Sequence, residues 1–122
     1  MSRLSIHTEA TLDLIGSSRR ALEAGDPWAS TLASYLALQH ALKAALARSG
    51  ADLEDIEYAP PAELTQLASE WSLLPEESLR HLGSLLESLS RVYRLEHKPS
   101  MEEAEEALKA AEELLRKLLE SS

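Results

Sequence analysis

PWASTLASYLALQHALKAALARSG, residues 27–50, decides the fold. Proline opens it, glycine closes it, and no helix breaker lies between. Leu32, Leu36, Leu42 and Leu46 make one ridge, while Ala29, Ala33, Ala37, Ala41, Ala44 and Ala45 cover much of the rest. Asp26 supplies an N-cap carboxylate, Pro27 suits the first helical position, and Gly50 accepts the left-handed turn that ends a helix. A helix with so little polar surface needs neighbours on several sides, which predicts a central position. Its polar breaks, Gln39, His40 and Lys43, make it far too short to span a bilayer. His40 and Lys43 read as one polar edge of an otherwise buried helix.

The flanking sequence continues the helical pattern. A first helix is expected from Ser2 or Ser5 to Ala24, with Ala10, Leu14, Ala21 and Leu22 on one stripe and Gly25 after its end. Gly16 weakens it by ~1 kcal/mol relative to alanine, so a bend or a close neighbour is expected there. Residues 51–61 form a connector with at most one helical turn, because Pro60 and Pro61 forbid a continuous helix. A short helix over 62–72 carries Leu64, Leu67, Ala68 and Trp71. The next starts at Pro75 and repeats Leu79, Leu82, Leu86, Leu89 and Tyr93, the alternation of a bundle seam.

The last helix opens at Ser100, which with Glu103 forms a capping box. Its stripe is Ala104, Ala107, Leu108, Ala111, Leu114, Leu115 and Leu118. Glutamates come early, and Arg116 and Lys117 late, as the helix dipole prefers. The expectation is a single domain over residues 1–122, all-α, an antiparallel up-and-down bundle of four long helices plus one short.

Composition agrees with an all-α chain. Residues that favour helix dominate, and only two Trp, three Tyr and no Phe supply aromatic rings. The lack of cysteine excludes disulfides and thiolate metal sites and suits a reducing cytoplasm. The N-terminus lacks the long apolar run of a secretory signal, so a soluble cytoplasmic protein is expected. A net charge of −9 opposes non-specific DNA binding and adhesion to anionic membranes.

Known site motifs are missing. A di-iron bundle wants Glu three residues before His, yet Leu4, Ala37, Ser78 and Arg94 stand there before His7, His40, His81 and His97. Zinc HExxH, phosphate-loop and dinucleotide motifs are also lacking, so no metal and no cofactor are expected. Glu77 and His81, four apart, read as a solvated pair. Trp28 and Trp71 sit near helix ends, where an amphipathic ring closes a core.

One zone departs from the acidic background. Residues 80–98 carry Arg80, Arg91, Arg94 and Lys98 against Glu87 and Glu96, a local balance of +2. An anionic ligand has its clearest reason to bind there. Metal-free RNA cleavage needs a base for the 2′-hydroxyl and positive charge for the developing phosphorane. His97 can carry the proton, and Arg91 or Arg94 can clamp the phosphate. In an unbroken helix Arg91 and His97 stand roughly 120° apart around the axis, so they converge only if the helix frays near Leu95 or a dimer unites two copies. Cations at a helix C-terminus are also what the dipole alone would favour.

Three segments together resemble the HEPN domain family. The first is YLALQHALKAALARSG, residues 35–50, similar to that family's alanine-rich second helix. The second is Arg91-Val92-Tyr93-Arg94, and the third is the Glu-Ala-led helix that begins at Met101. The resemblance implies a homodimer with a minimal nucleotidyltransferase partner, of the kind found in toxin–antitoxin pairs. It also implies an RNA or nucleotide ligand and no membrane. The family's ribonucleases use an arginine and a histidine a few residues apart; Arg91 and His97, with five between, match as catalytic candidates. Arg94, Lys98 and Tyr93 are the matching candidates for nucleotide or phosphate binding. Departures are Val92 where a polar residue is usual, Tyr93 before Arg94 with proline delayed to Pro99, and Tyr58-Ala59-Pro60-Pro61 in place of a histidine. The alternative is a non-enzymatic nucleotide-binding or dimerising scaffold of the same fold.

Overall fold

The longest helix has contacts with every other helix. The computed structural model describes residues 3–120, with side chains from residue 6 to residue 118. It contains α1 (Arg3–Glu23), α2 (Pro27–Ser49), the one-turn α3 (Leu53–Ile56), α4 (Pro61–Glu70), α5 (Glu76–Tyr93) and α6 (Met101–Glu120). A start at Ser2 lies outside the described residues. Among the described residues every regular element is helical, and four helices are long, as the periodicity predicts. No helix among them is long and apolar enough to cross a membrane.

α2 packs on α1, α3, α4, α5 and α6 and supplies the centre of the core. Asp26 caps it by accepting from the Ala29 N–H at 3.0 Å, and the chain leaves it left-handed at Gly50, φ 102°. Its innermost ridge is Ser34, Leu38, Leu42 and Leu46, all fully buried. This corrects the expected ridge: Leu36 is 39% exposed and Leu32 only half-buried. Residues four apart share a face, and Leu36 is half a turn away from the line through Leu38 and Leu42.

α1 and α2 form an antiparallel hairpin. Ser18 on α1 meets Ser30 and Ser34, while His7, earlier on α1, meets His40, later on α2. The inward face of α1 is His7, Thr11, Ile15 and Ser18, so the expected stripe through Ala10 and Ala21 is also corrected. His7, Thr11 and Ser18 each have a hydrogen-bond partner, which is what permits their burial. α1 continues without a break through Gly16, where an added Cβ would meet only the flexible guanidinium end of Arg20, at 3.3 Å. The close neighbour expected there is the Arg20 side chain.

The connector does more than join α2 to α4. Lys43 donates to the Glu57 carbonyl at 2.8 Å, and Tyr35 borders the same cleft as Pro60. Residues 51–60 therefore run back along α2, and Ile56 and Ala59 are buried on the way. α4 then sets out again in the direction of α2, and Trp71 at its end lies 3.9 Å from where a Cβ on Gly50 would stand. α5 buries Leu79, Leu82, Leu86, Leu89 and Val92. α6 buries Ala104, Ala107, Leu108, Ala111, Leu114 and Leu118, with Leu115 half-buried. α5 and α6 barely touch, and a cleft of about 510 Å³ opens between Leu82 and Leu85 on one side and Leu114 on the other.

Two substitutions measure this arrangement by urea denaturation. Leu42→Ala, at the fully buried centre of α2, should cost about 2–5 kcal/mol. Gly16→Ala should raise stability by about 0.5–1 kcal/mol, because it removes helix-interior glycine without meeting rigid atoms.

Candidate functional site

The seam of α5 ends on Val92, not on the expected Tyr93. Val92 is 2% exposed and belongs to the core, which accounts for an apolar side chain beside Arg91; Tyr93 is 62% exposed. With Leu89 and Val92 turned inward, Arg91, Tyr93 and Arg94 emerge on the outer side.

α5 stops before His97. Leu95 adopts φ 65°, and its N–H reaches the Val92 carbonyl at 3.1 Å while the Glu96 N–H reaches Arg91 at 2.8 Å. This is the Schellman closure, here with leucine at the left-handed position that usually holds glycine. Arg91 thus stays on the last helical turn, whereas His97 belongs to the linker toward α6. The argument from a shared helical face does not apply to this pair.

Each basic side chain has a different setting. Arg94 forks onto the Glu96 carboxylate, with Nη2 at 3.1 Å and Nε at 3.2 Å. Nε2 of His97 lies 2.8 Å from Oε2 of Glu103. The other Glu103 oxygen accepts the Ser100 N–H at 3.1 Å, and the Ser100 hydroxyl accepts the Glu103 N–H at 3.1 Å. Glu103 therefore completes the capping box and orients the histidine together. The hydrogen bond from His97, then that from the Ser100 backbone, holds the Glu103 carboxyl below its ordinary range. Arg91 and Lys98 are exposed, and among the described residues neither has an ion-pair partner.

Tyr93 and Arg94 share a cleft that the sequence did not disclose. Tyr35 of α2, Pro60 and Thr65 at the start of α4, and Leu86 of α5 join them around a volume of about 500 Å³. The Tyr35 and Tyr93 rings stand 5.8 Å apart, tilted by 45°. Burial first, and Tyr93 next, push the Tyr35 phenol up, while Arg94 pulls it the other way. Arg91, His97 and Lys98 do not line this cleft. The juxtaposition offers an aromatic wall with a guanidinium at its edge.

A family model described as HEPN domain matches residues 8–121. The chain belongs to the HEPN domain family. No curated protein matches it. In this HEPN domain the match spans everything from Thr8 of α1 to the end of α6, so the cleft and the α5 exit both lie within it. Glu77 and His81 line the other cleft, between α5 and α6. Among the described residues no three metal-ligating side chains come together.

Two residues of this region escaped the sequence reading in role or in name. Glu103 was legible as a cap but not as the partner of His97, which lies six positions away across a proline. Tyr35 reads as one more residue of a buried helix; only the returning connector brings Pro60 beside it.

The double role of Glu103 gives a pH signature. A carboxylate whose folded pKa is depressed contributes stability that is complete above its ordinary value, 4.5, and is lost as pH falls through the folded value. Urea midpoints measured from about pH 6 down to about pH 3 should fall less in Glu103→Gln than in the natural chain. Ser100→Ala should cost about 1 kcal/mol at neutral pH through loss of the cap.

Proposed function

We propose that this HEPN-family chain binds the phosphate-bearing part of a nucleotide or RNA strand at the α5 exit. We further propose that it does so as a cytoplasmic homodimer beside a minimal nucleotidyltransferase, in a toxin–antitoxin arrangement. The supporting observation is the shared cleft: Tyr93 and Tyr35 supply ring faces for a base, and Arg94 stands at the edge where a phosphate would follow. Base stacking on an aromatic side chain contributes about 1–3 kcal/mol, and arginine grips phosphate with two parallel hydrogen bonds. The Arg94–Glu96 pair does not preclude this. Both side chains are about half exposed, 53% and 55%, and such surface pairs contribute only about 0–1 kcal/mol. A phosphate can displace Glu96, and unpaired Arg91 and Lys98 add attraction nearby.

A second reading, metal-independent ribonuclease action by Arg91 and His97, draws on one observation. Glu103 engages Nε2 of His97 and leaves Nδ1 available as a base, the arrangement of a histidine oriented by a carboxylate. The two readings separate in a single set of measurements on labelled oligoribonucleotides. For binding, Tyr93→Ala and Arg94→Ala should each weaken affinity several-fold, and the latter should lower the salt slope by about one. Affinity unchanged in both variants would refute the cleft as the site. For cleavage, Arg91→Ala and His97→Ala should each abolish product formation. Intact RNA with the natural chain, or cutting that persists in both variants, would remove those residues from a catalytic role.

A further inference from the structure

We propose that His7 and His40 form an acid-released latch that fastens the first turns of α1 onto α2. The pair is remote in sequence from the α5 exit and does not depend on the function proposed above. His7 is 4% exposed, and its Nδ1 stands 2.9 Å from Nδ1 of His40, with the rings tilted by 34°. On the far side of the same ring, Nε2 of His7 faces Oε2 of Glu57 at 3.5 Å. Lys43, on the His40 side of α2, holds the Glu57 carbonyl at 2.8 Å. Among the described residues, the charged groups named around the pair come from three elements: His7 from α1, His40 and Lys43 from α2, and Glu57 from the returning connector.

Two Nδ1 atoms can bond only with one proton between them. With both rings neutral, His40 donates from Nδ1 to Nδ1 of His7, and the Nε2–H of His7 points at Glu57. Adding one proton leaves the bond in place, because one Nδ1 can still donate while the other accepts. Adding a second sets N–H against N–H and two cations within the same short distance, beside the Lys43 ammonium. Only this second protonation step breaks the link.

The pH of that second step follows from the surroundings. Burial, then His7, then Lys43 push the pKa of His40 below its ordinary 6.5, while Glu57 acts in the opposite direction. A histidine with a depressed folded pKa contributes fully above 6.5 and loses that contribution as pH falls from there toward the folded value. The latch is closed at neutral pH and opens as pH falls below 6.5 toward the folded value. Ser18, much nearer the turn, carries no titratable group and holds the other end of the hairpin throughout.

Imidazole nitrogen shifts and amide hydrogen exchange on the full chain test the latch. At about pH 7.5, one ring of the pair should carry its proton on Nδ1 while the other has Nδ1 bare. Both rings protonated only on Nε2 would overturn the proposal, whatever any variant does. Protection of amides 8–14 should fall about tenfold relative to amides 37–46 between about pH 7 and about pH 5. His40→Gln, which can accept from His7 without taking up a proton, should remove that fall. An equal fall in the variant would also overturn the proposal.

Discussion

The close approach of α1 and α2 is the constraint on which the rest depends. Toward the turn, the Ser18 hydroxyl lies 2.9 Å from both the carbonyl and the hydroxyl of Ser30, and 2.8 Å from the hydroxyl of Ser34. These side chains are small enough to let the helix backbones come near and polar enough to require one another once buried. With one side of α2 covered in this way, its remaining faces are left to α6, α5, α4 and the returning connector. Arg19 of α1 pairs with Glu112 of α6, and Arg48 of α2 donates to the Leu118 carbonyl, so α6 lies over both members of the hairpin. The other helices then inherit their positions from α2.

Legibility of the fold followed the contrast between apolar and polar faces. α5 and α6 have sharp contrast, and the leucine and alanine stripes named from the sequence are the buried ones, apart from half-buried Leu115 and the exchange of Tyr93 for Val92. α2 has little contrast. Leucine and alanine surround it, so its existence and ends were clear while its orientation was not, and Leu36 was placed inward although it faces out. α1 misled in the opposite sense. Its inward face bears His7, Thr11 and Ser18, which hydropathy assigns to solvent, and their burial depends on partners at positions far along the chain.

The site was legible in the same measure. A cationic α5 exit could be read from charge alone, and the HEPN family match extends across it. The end of α5 at Leu95 could not, because leucine carries no local signal for a left-handed residue. Nor could the neutralising carboxylates. Glu96 and Glu103 look like ordinary members of a linker and a first helical turn, yet they hold Arg94 and His97. The resulting surface is less positive than the count of basic residues implies. Its unpaired cations, Arg91 and Lys98, flank Arg94, which carries an exchangeable counterion, and His97, which Glu103 engages.

The left-handed leucine has a geometric consequence for the molecule's outline. A side chain with a Cβ at that dihedral costs the backbone about 1–2 kcal/mol relative to a right-handed one, and Leu95, 75% exposed, recovers little by burial. The packing on both sides must therefore impose the bend: Val92 is anchored in the core before it, and Pro99 is buried after it. That bend turns the chain out of α5 and starts the linker toward the final helix, which Arg19 and Arg48 seat on the hairpin. The corner thus closes off one wall of the trough without lining it.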